Sequence, residues 1–190
     1  MLQKISLFLT GAGLALWALT SESRAPLLTL LAVLIHEGGH LFAARRMHRH
    51  PSGVSADTVG IRLWFDGTPL SYPEEILLCA AGPLANLLSI PFALPFCAEN
   101  PFFLSVSLAL ALLNLLPIEG FDGGRILSAT LSLFLTPTRA DRICEACSFL
   151  FLFTLWCASV YLLMRTGNEL SLFFFTAALF FRIFLQKKPR

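Results

Sequence analysis

The chain has 190 residues, of which 56% are hydrophobic and only 14% charged, with a mean hydropathy of +0.72. Soluble domains carry roughly 25% charged residues, so this composition excludes an ordinary soluble domain and points to a membrane protein with several spans. The net charge of +2 leaves no electrostatic footprint for nucleic acid.

Roughly 20 apolar residues cross the hydrocarbon core of a bilayer. The first such stretch is 2–20. It begins beside Lys4 and ends near Ser21-Glu22-Ser23, without a good small-residue cleavage pattern. It reads as a retained span and not as a signal peptide, because further spans follow.

The second stretch, 26–44, holds His36-Glu37-Gly38-Gly39-His40. Ionisable residues in a span are costly and mark function by default. Residues four apart share a helix face, so His36 and His40 can aim ring nitrogens at one zinc ion. Glu37 lies about 100° further around the helix, which suits a general base and not a ligand. The bland alternative is two polar residues packed inside a bundle. The rarity of the pattern favours the metal. The other two histidines, His48 and His50, sit among Arg45, Arg46, Arg49 and Pro51. They read as a basic patch at the membrane surface.

Segment 52–72 partly alternates apolar and polar residues and contains the turn signal Asp66-Gly67. A short β hairpin is expected there, with an edge that could receive an extended substrate by strand addition. A third span follows at 75–97, with Ala81-Gly82-Pro83-Leu84-Ala85-Asn86 inside it. A fourth runs over 101–117 and is stopped or kinked by Pro117. Catalytic zinc usually has three protein ligands and one open position, so a third ligand is needed. Asp122 and Glu119 compete for that place. Asp122 is favoured, because Gly120, Gly123 and Gly124 let the chain turn sharply around it. A broken helix at membrane depth is tolerated where it lines a cavity. Residues 126–136 are apolar but too short to span, and should extend the fourth element or lie at the interface. Cys144 and Cys147 form a lone C-x-x-C that cannot complete a structural zinc site. Fifth and sixth spans are expected at 147–164 and 170–185.

Six spans put both termini on one side. If that side is the cytoplasm, twelve of the fourteen Lys and Arg residues lie inside, and only Arg24 and Arg165 lie outside. His36, His40 and Asp122 then fall at the same level, in the cytoplasmic half.

The chain resembles the site-2 proteases, the intramembrane zinc metalloproteases. The resemblance rests on His36-Glu37-Gly38-Gly39-His40, on Ala81 to Asn86, and on Asn114 through Asp122-Gly123-Gly124-Arg125. It covers about 26–127, and the short layout is similar to the branch that includes sporulation-factor proteases. Gly38 departs from the bulkier residue common there, which weakens the helix by ~1 kcal/mol. The resemblance implies peptide hydrolysis in or near a substrate's transmembrane segment. It implies His36, His40 and Asp122 as zinc ligands, Glu37 as base and proton donor, and Asn114 as a substrate contact. Gly82, Pro83 and Asn86 form a packing and shaping motif near the site.

The expectation is an all-α integral membrane protein of about six transmembrane helices plus a β hairpin near 52–72. It forms a single domain over 1–190, with a catalytic core at 26–127 and a gate at 147–185. Zn2+ is the cofactor, and the partners are a membrane protein substrate and the lipid bilayer, with room for regulatory membrane proteins. A non-catalytic binder of client helices is disfavoured, because binding alone needs no Glu37. A metal transporter would need polar residues across every span, and spans one, five and six show few.

Overall fold

The computed structural model describes residues 24–49, 51–57, 60–65, 69–96, 101–166 and 170–180. The expected first span, His50, Asp66-Gly67, Cys97 and residues 181–190 lie outside them. Among the described residues, six helices and two strands follow in order. These are α1 (Ala25–Arg46), β1 (Pro51–Asp57), β2 (Gly60–Phe65), α2 (Tyr72–Ala93), α3 (Phe102–Asn114), α4 (Asp122–Ser132), α5 (Pro137–Thr166) and α6 (Leu170–Phe180). A 3-10 turn, Leu94–Phe96, prolongs α2.

Among the described residues, three helical stretches are long and apolar enough to cross a membrane: Ala25–Arg46, Tyr72–Phe96 and Pro137–Arg165. Their outward faces carry large apolar side chains such as Leu27, Leu34, Phe42, Leu84, Leu88 and Phe92. Burying those side chains in lipid, not in protein, is what makes such exposure stable. The protein is a mainly helical membrane protein.

Local chemistry sets the helix ends. Pro26 opens α1, where a missing N–H costs nothing. Glu74 in the first turn of α2 reaches back to accept the Ser71 N–H at 2.9 Å and its hydroxyl at 2.8 Å. Glu74 and Glu75 both sit at this N-terminus, where the helix dipole favours negative charge. Helix α3 has 13 residues and stops at Asn114, before Pro117. At 1.5 Å per residue it covers about 20 Å, short of a full crossing by itself. Residues 126–136 do not extend it. They belong largely to α4, a new helix that begins at Asp122, because the turn at Pro117 to Phe121 has already broken the chain direction. Helix α5 starts ten residues earlier than the expected fifth span, at Pro137.

The two extended segments pair antiparallel, with Val54 opposite Leu63 and Asp57 opposite Gly60. The last pair of the ladder is Asp57 with Gly60.

Helix α2 is central, packing against α1, α3 and α4. Helices α5 and α6 pack on each other, and α5 packs on α4. Ala43, Ala44 and Leu78 form one buried cluster. Ile118, Phe121, Leu152 and Leu179 form another.

Gly39 sets the α1–α2 distance. A Cβ there would overlap the Ala81 carbonyl oxygen and come within 2.8 Å of the Ala85 Cβ. Small residues allow this close backbone approach, the main packing device in membranes. Gly38 meets nothing within 4 Å. Gly38→Ala should therefore raise the thermal midpoint in detergent slightly, by up to ~1 kcal/mol of helix propensity. Gly39→Ala should lower it. Equal midpoints for the two variants would show that the close α1–α2 contact is wrong.

Candidate metal centre

The spacing of four on α1 brings His36 and His40 together, with ring centroids 4.9 Å apart and planes at 83°. Their Nε2 atoms are 3.3 Å apart. Asp122, first residue of α4, places Oδ2 at 3.2 Å from His36 Nε2 and 3.3 Å from His40 Nε2. Three ligand atoms from two distant segments thus form a nearly equilateral triangle. Among the described residues this is the one His/Cys/Asp/Glu group that could hold a metal ion.

The fit to zinc can be tested on that triangle. Bonds of about 2.0–2.1 Å in tetrahedral geometry put neighbouring ligand atoms about 3.3–3.4 Å apart. The observed edges match three corners and leave the fourth open. The tautomer agrees as well. His40 Nδ1 lies 2.8 Å from the Leu78 carbonyl oxygen, which can only accept. Nδ1 therefore carries the hydrogen, and Nε2 of the neutral ring presents a bare lone pair to the triangle's centre. Asp122 Oδ2 is buried with no hydrogen-bond partner among the described residues, as a metal ligand's donor atom would be.

Glycines again make room. A Cβ at Gly82 would strike His40 Nε2 and come within 2.9 Å of His36 Nε2. A Cβ at Gly123 would overlap the Leu115 carbonyl, and one at Gly124 the Ile118 carbonyl. Residues 115–121 therefore curl tightly under the start of α4. Gly120 turns the chain with φ of 100°. Arg125 anchors the first turn of α4 to α2, donating from Nε and Nη2 to Glu75 Oε1 at 3.2 and 3.0 Å.

Comparison with known proteins agrees with this geometry. Residues 97–156, which include Asp122, match Peptidase family M50. Stage IV sporulation protein FB of Bacillus subtilis (strain 168) is 31% identical over 190 residues, covering 91% of this chain and 63% of that protein. The chain is similar to this peptidase family over residues 97–156 and to this sporulation protein over most of its own length. The chain spans less than two thirds of that relative's length. A site-2 protease from Methanocaldococcus jannaschii shares its fold, with a TM-score of 0.61 at 20% identity over 93% of this chain and 85% of that one.

The other expected site residues fall as follows. Glu37 is half-buried next to both histidines and Asp122, with no hydrogen bond to any of them. Glu119, the rival ligand, is exposed and outside the triangle. Asn114 is half-buried at the end of α3, and its amide donates to the Leu110 carbonyl at 2.9 Å. His48 is exposed, with φ of 54°. Two contributors escape the sequence: the Leu78 carbonyl, which no residue type reports, and the contact of Gly82 with both ligand rings. Asn86, one turn beyond Gly82, is fully buried, and its amide has no partner among the described residues.

Gly82→Ala should push the two rings apart and weaken zinc binding about 10–100-fold, the scale of disturbing ligand orientation. Gly38→Ala should bind as wild type. Competition against a chromophoric chelator measures both. Unchanged affinity for Gly82→Ala would remove Gly82 from the site's construction.

Proposed function

We propose that the protein is a zinc-dependent intramembrane endopeptidase that cuts a membrane-embedded protein near the cytoplasmic side. The observation that carries this reading is the triangle of His36, His40 and Asp122 with Glu37 beside it on the same helix. Zinc held there would act as a Lewis acid on a carbonyl and lower the pKa of bound water toward ~7. The protein's residues supply the rest. Glu37 takes the proton from the attacking water and returns it to the leaving amine. Its freedom from hydrogen bonds to the ligands suits that exchange, since a base locked in an ion pair is a poor one. Asn114 contacts the substrate after its amide exchanges the Leu110 carbonyl for a substrate carbonyl.

A transmembrane substrate has every backbone group paired, so it must unwind before its carbonyl reaches the site. An unwound strand can add to the edge of the β1–β2 ladder through backbone hydrogen bonds.

Glu37→Gln should keep zinc and lose cleavage of a model membrane substrate by ~10² or more, the usual scale of general-base loss. A chelator should abolish wild-type cleavage. Wild-type turnover from Glu37→Gln would end this assignment, and full zinc content in a His36→Ala, His40→Ala double variant would end the site.

Six spans with both termini in the cytoplasm complete the proposal, supported by the twelve-to-two distribution of Lys and Arg. A reporter fused after Arg190 should then read as cytoplasmic, and one inserted near Asn168 as external. The reverse pattern would move the active site to the outer half.

A further inference from the structure

We propose that Ser148 is a positioning residue for the metal centre, holding the 115–121 loop at the place from which Asp122 meets the two histidines. The proposal rests on the metal-site reading above.

Ser148 lies on α5 and is 1% exposed. Its hydroxyl hydrogen goes to the Cys144 carbonyl one turn back, at 2.7 Å. That donation leaves a lone pair free, and the Glu119 N–H donates to it at 2.8 Å. Both roles of the hydroxyl are thus filled, one within its own helix and one across to the loop.

Glu119 is three residues before Asp122, in a stretch with no helical ladder to take its N–H. The bond is partly shielded from water, where an N–H left without an acceptor is costly, so Ser148 supplies a bond the loop needs in this position. The same loop is pinned by apolar packing, with Ile118 and Phe121 against Leu152 of α5 and Leu179 of α6. Apolar contacts set how deeply the loop sits but are not directional. The hydrogen bond is directional and sets its rotation. The ligand triangle has edges of 3.2–3.3 Å, so a loop turned by a few tenths of an ångström would spoil it. The last two helices are thereby tied to metal ligation. A gate movement of α5 would pull on the segment that presents Asp122.

A second serine on α5 supplies the control. Ser159 is also fully buried. Its hydroxyl donates to the Trp156 carbonyl at 2.7 Å and pairs with the Thr176 hydroxyl of α6 at 3.1 Å. It touches α6 and not the loop.

Purified Ser148→Ala, Ser148→Cys and Ser159→Ala proteins should be titrated with zinc against a chelator. The visible absorption of their cobalt-substituted forms should be recorded beside that of Asp122→Asn. Ser148→Ala should bind zinc about 10–100-fold more weakly, the scale for losing a group that orients a ligand. Its cobalt spectrum should move toward that of Asp122→Asn. Ser148→Cys keeps the volume but accepts hydrogen bonds weakly, and should fall between wild type and alanine. It carries the test if the alanine variant does not fold. Ser159→Ala should match wild type in both readouts. Wild-type affinity and spectrum in the Ser148 variants, or equal losses in Ser159→Ala, would overturn the proposal. If the His36→Ala, His40→Ala protein binds zinc normally, the metal-site reading itself has failed. If that protein loses zinc while the Ser148 variants do not, only the role of Ser148 has failed.

Discussion

Everything in this fold answers to one crowding problem. Three side-chain atoms of metal-binding type, from His36, His40 and Asp122, stand about 3.3 Å apart inside an apolar bundle. They come from one turn of α1 and from the start of α4, more than eighty residues later. Side chains as short as aspartate and histidine can meet only if the backbones carrying them come unusually close. Glycine is the residue that permits this, and it is spent at the points of contact. Gly39 lets α1 lie on Ala81, Gly82 leaves room for both rings, and Gly123 and Gly124 admit the Leu115 and Ile118 carbonyls. Between helices in lipid there is little hydrophobic drive, so close packing of small residues supplies the association energy as well.

The second demand is polar satisfaction. A loop at membrane depth brings unpaired N–H and C=O groups with it, each expensive away from water. Here the loop between α3 and α4 pairs much of its own backbone. The Ile118 N–H reaches the Leu116 carbonyl at 2.7 Å, and the Phe121 N–H reaches the Ile118 carbonyl at 3.0 Å. A neighbouring helix satisfies the Glu119 N–H. The consequence is mechanical. A segment without catalytic residues, α5 and α6, bears directly on the ligand-carrying loop through Leu152, Leu179 and Ser148.

The charged ends of the helices play a smaller part. Arg49 donates to both carboxylate oxygens of Glu74 at 3.0 Å, and Arg125 meets Glu75. These pairs are partly exposed and screened by solvent, so they add little to stability. Their use is registration. Two adjacent glutamates at the start of α2 take one arginine just beyond α1 and one on α4. This fixes the axial levels of the three elements that build the site.

Much of the site was legible in the chain itself, because spacing along a helix is a local property. His36, Glu37 and His40 are defined by α1 alone, and Asp122 was marked by the glycines that crowd around it. The membrane class followed from composition, since apolar segments of this length have no other stable solvent. The Leu78 carbonyl that sets the His40 tautomer needed the tertiary structure, as did the loop's bond to Ser148. So did the break that makes α4 a separate helix and not a continuation of α3. Each of these depends on which backbone atoms meet across helices, a long-range property that no local pattern of residue types encodes.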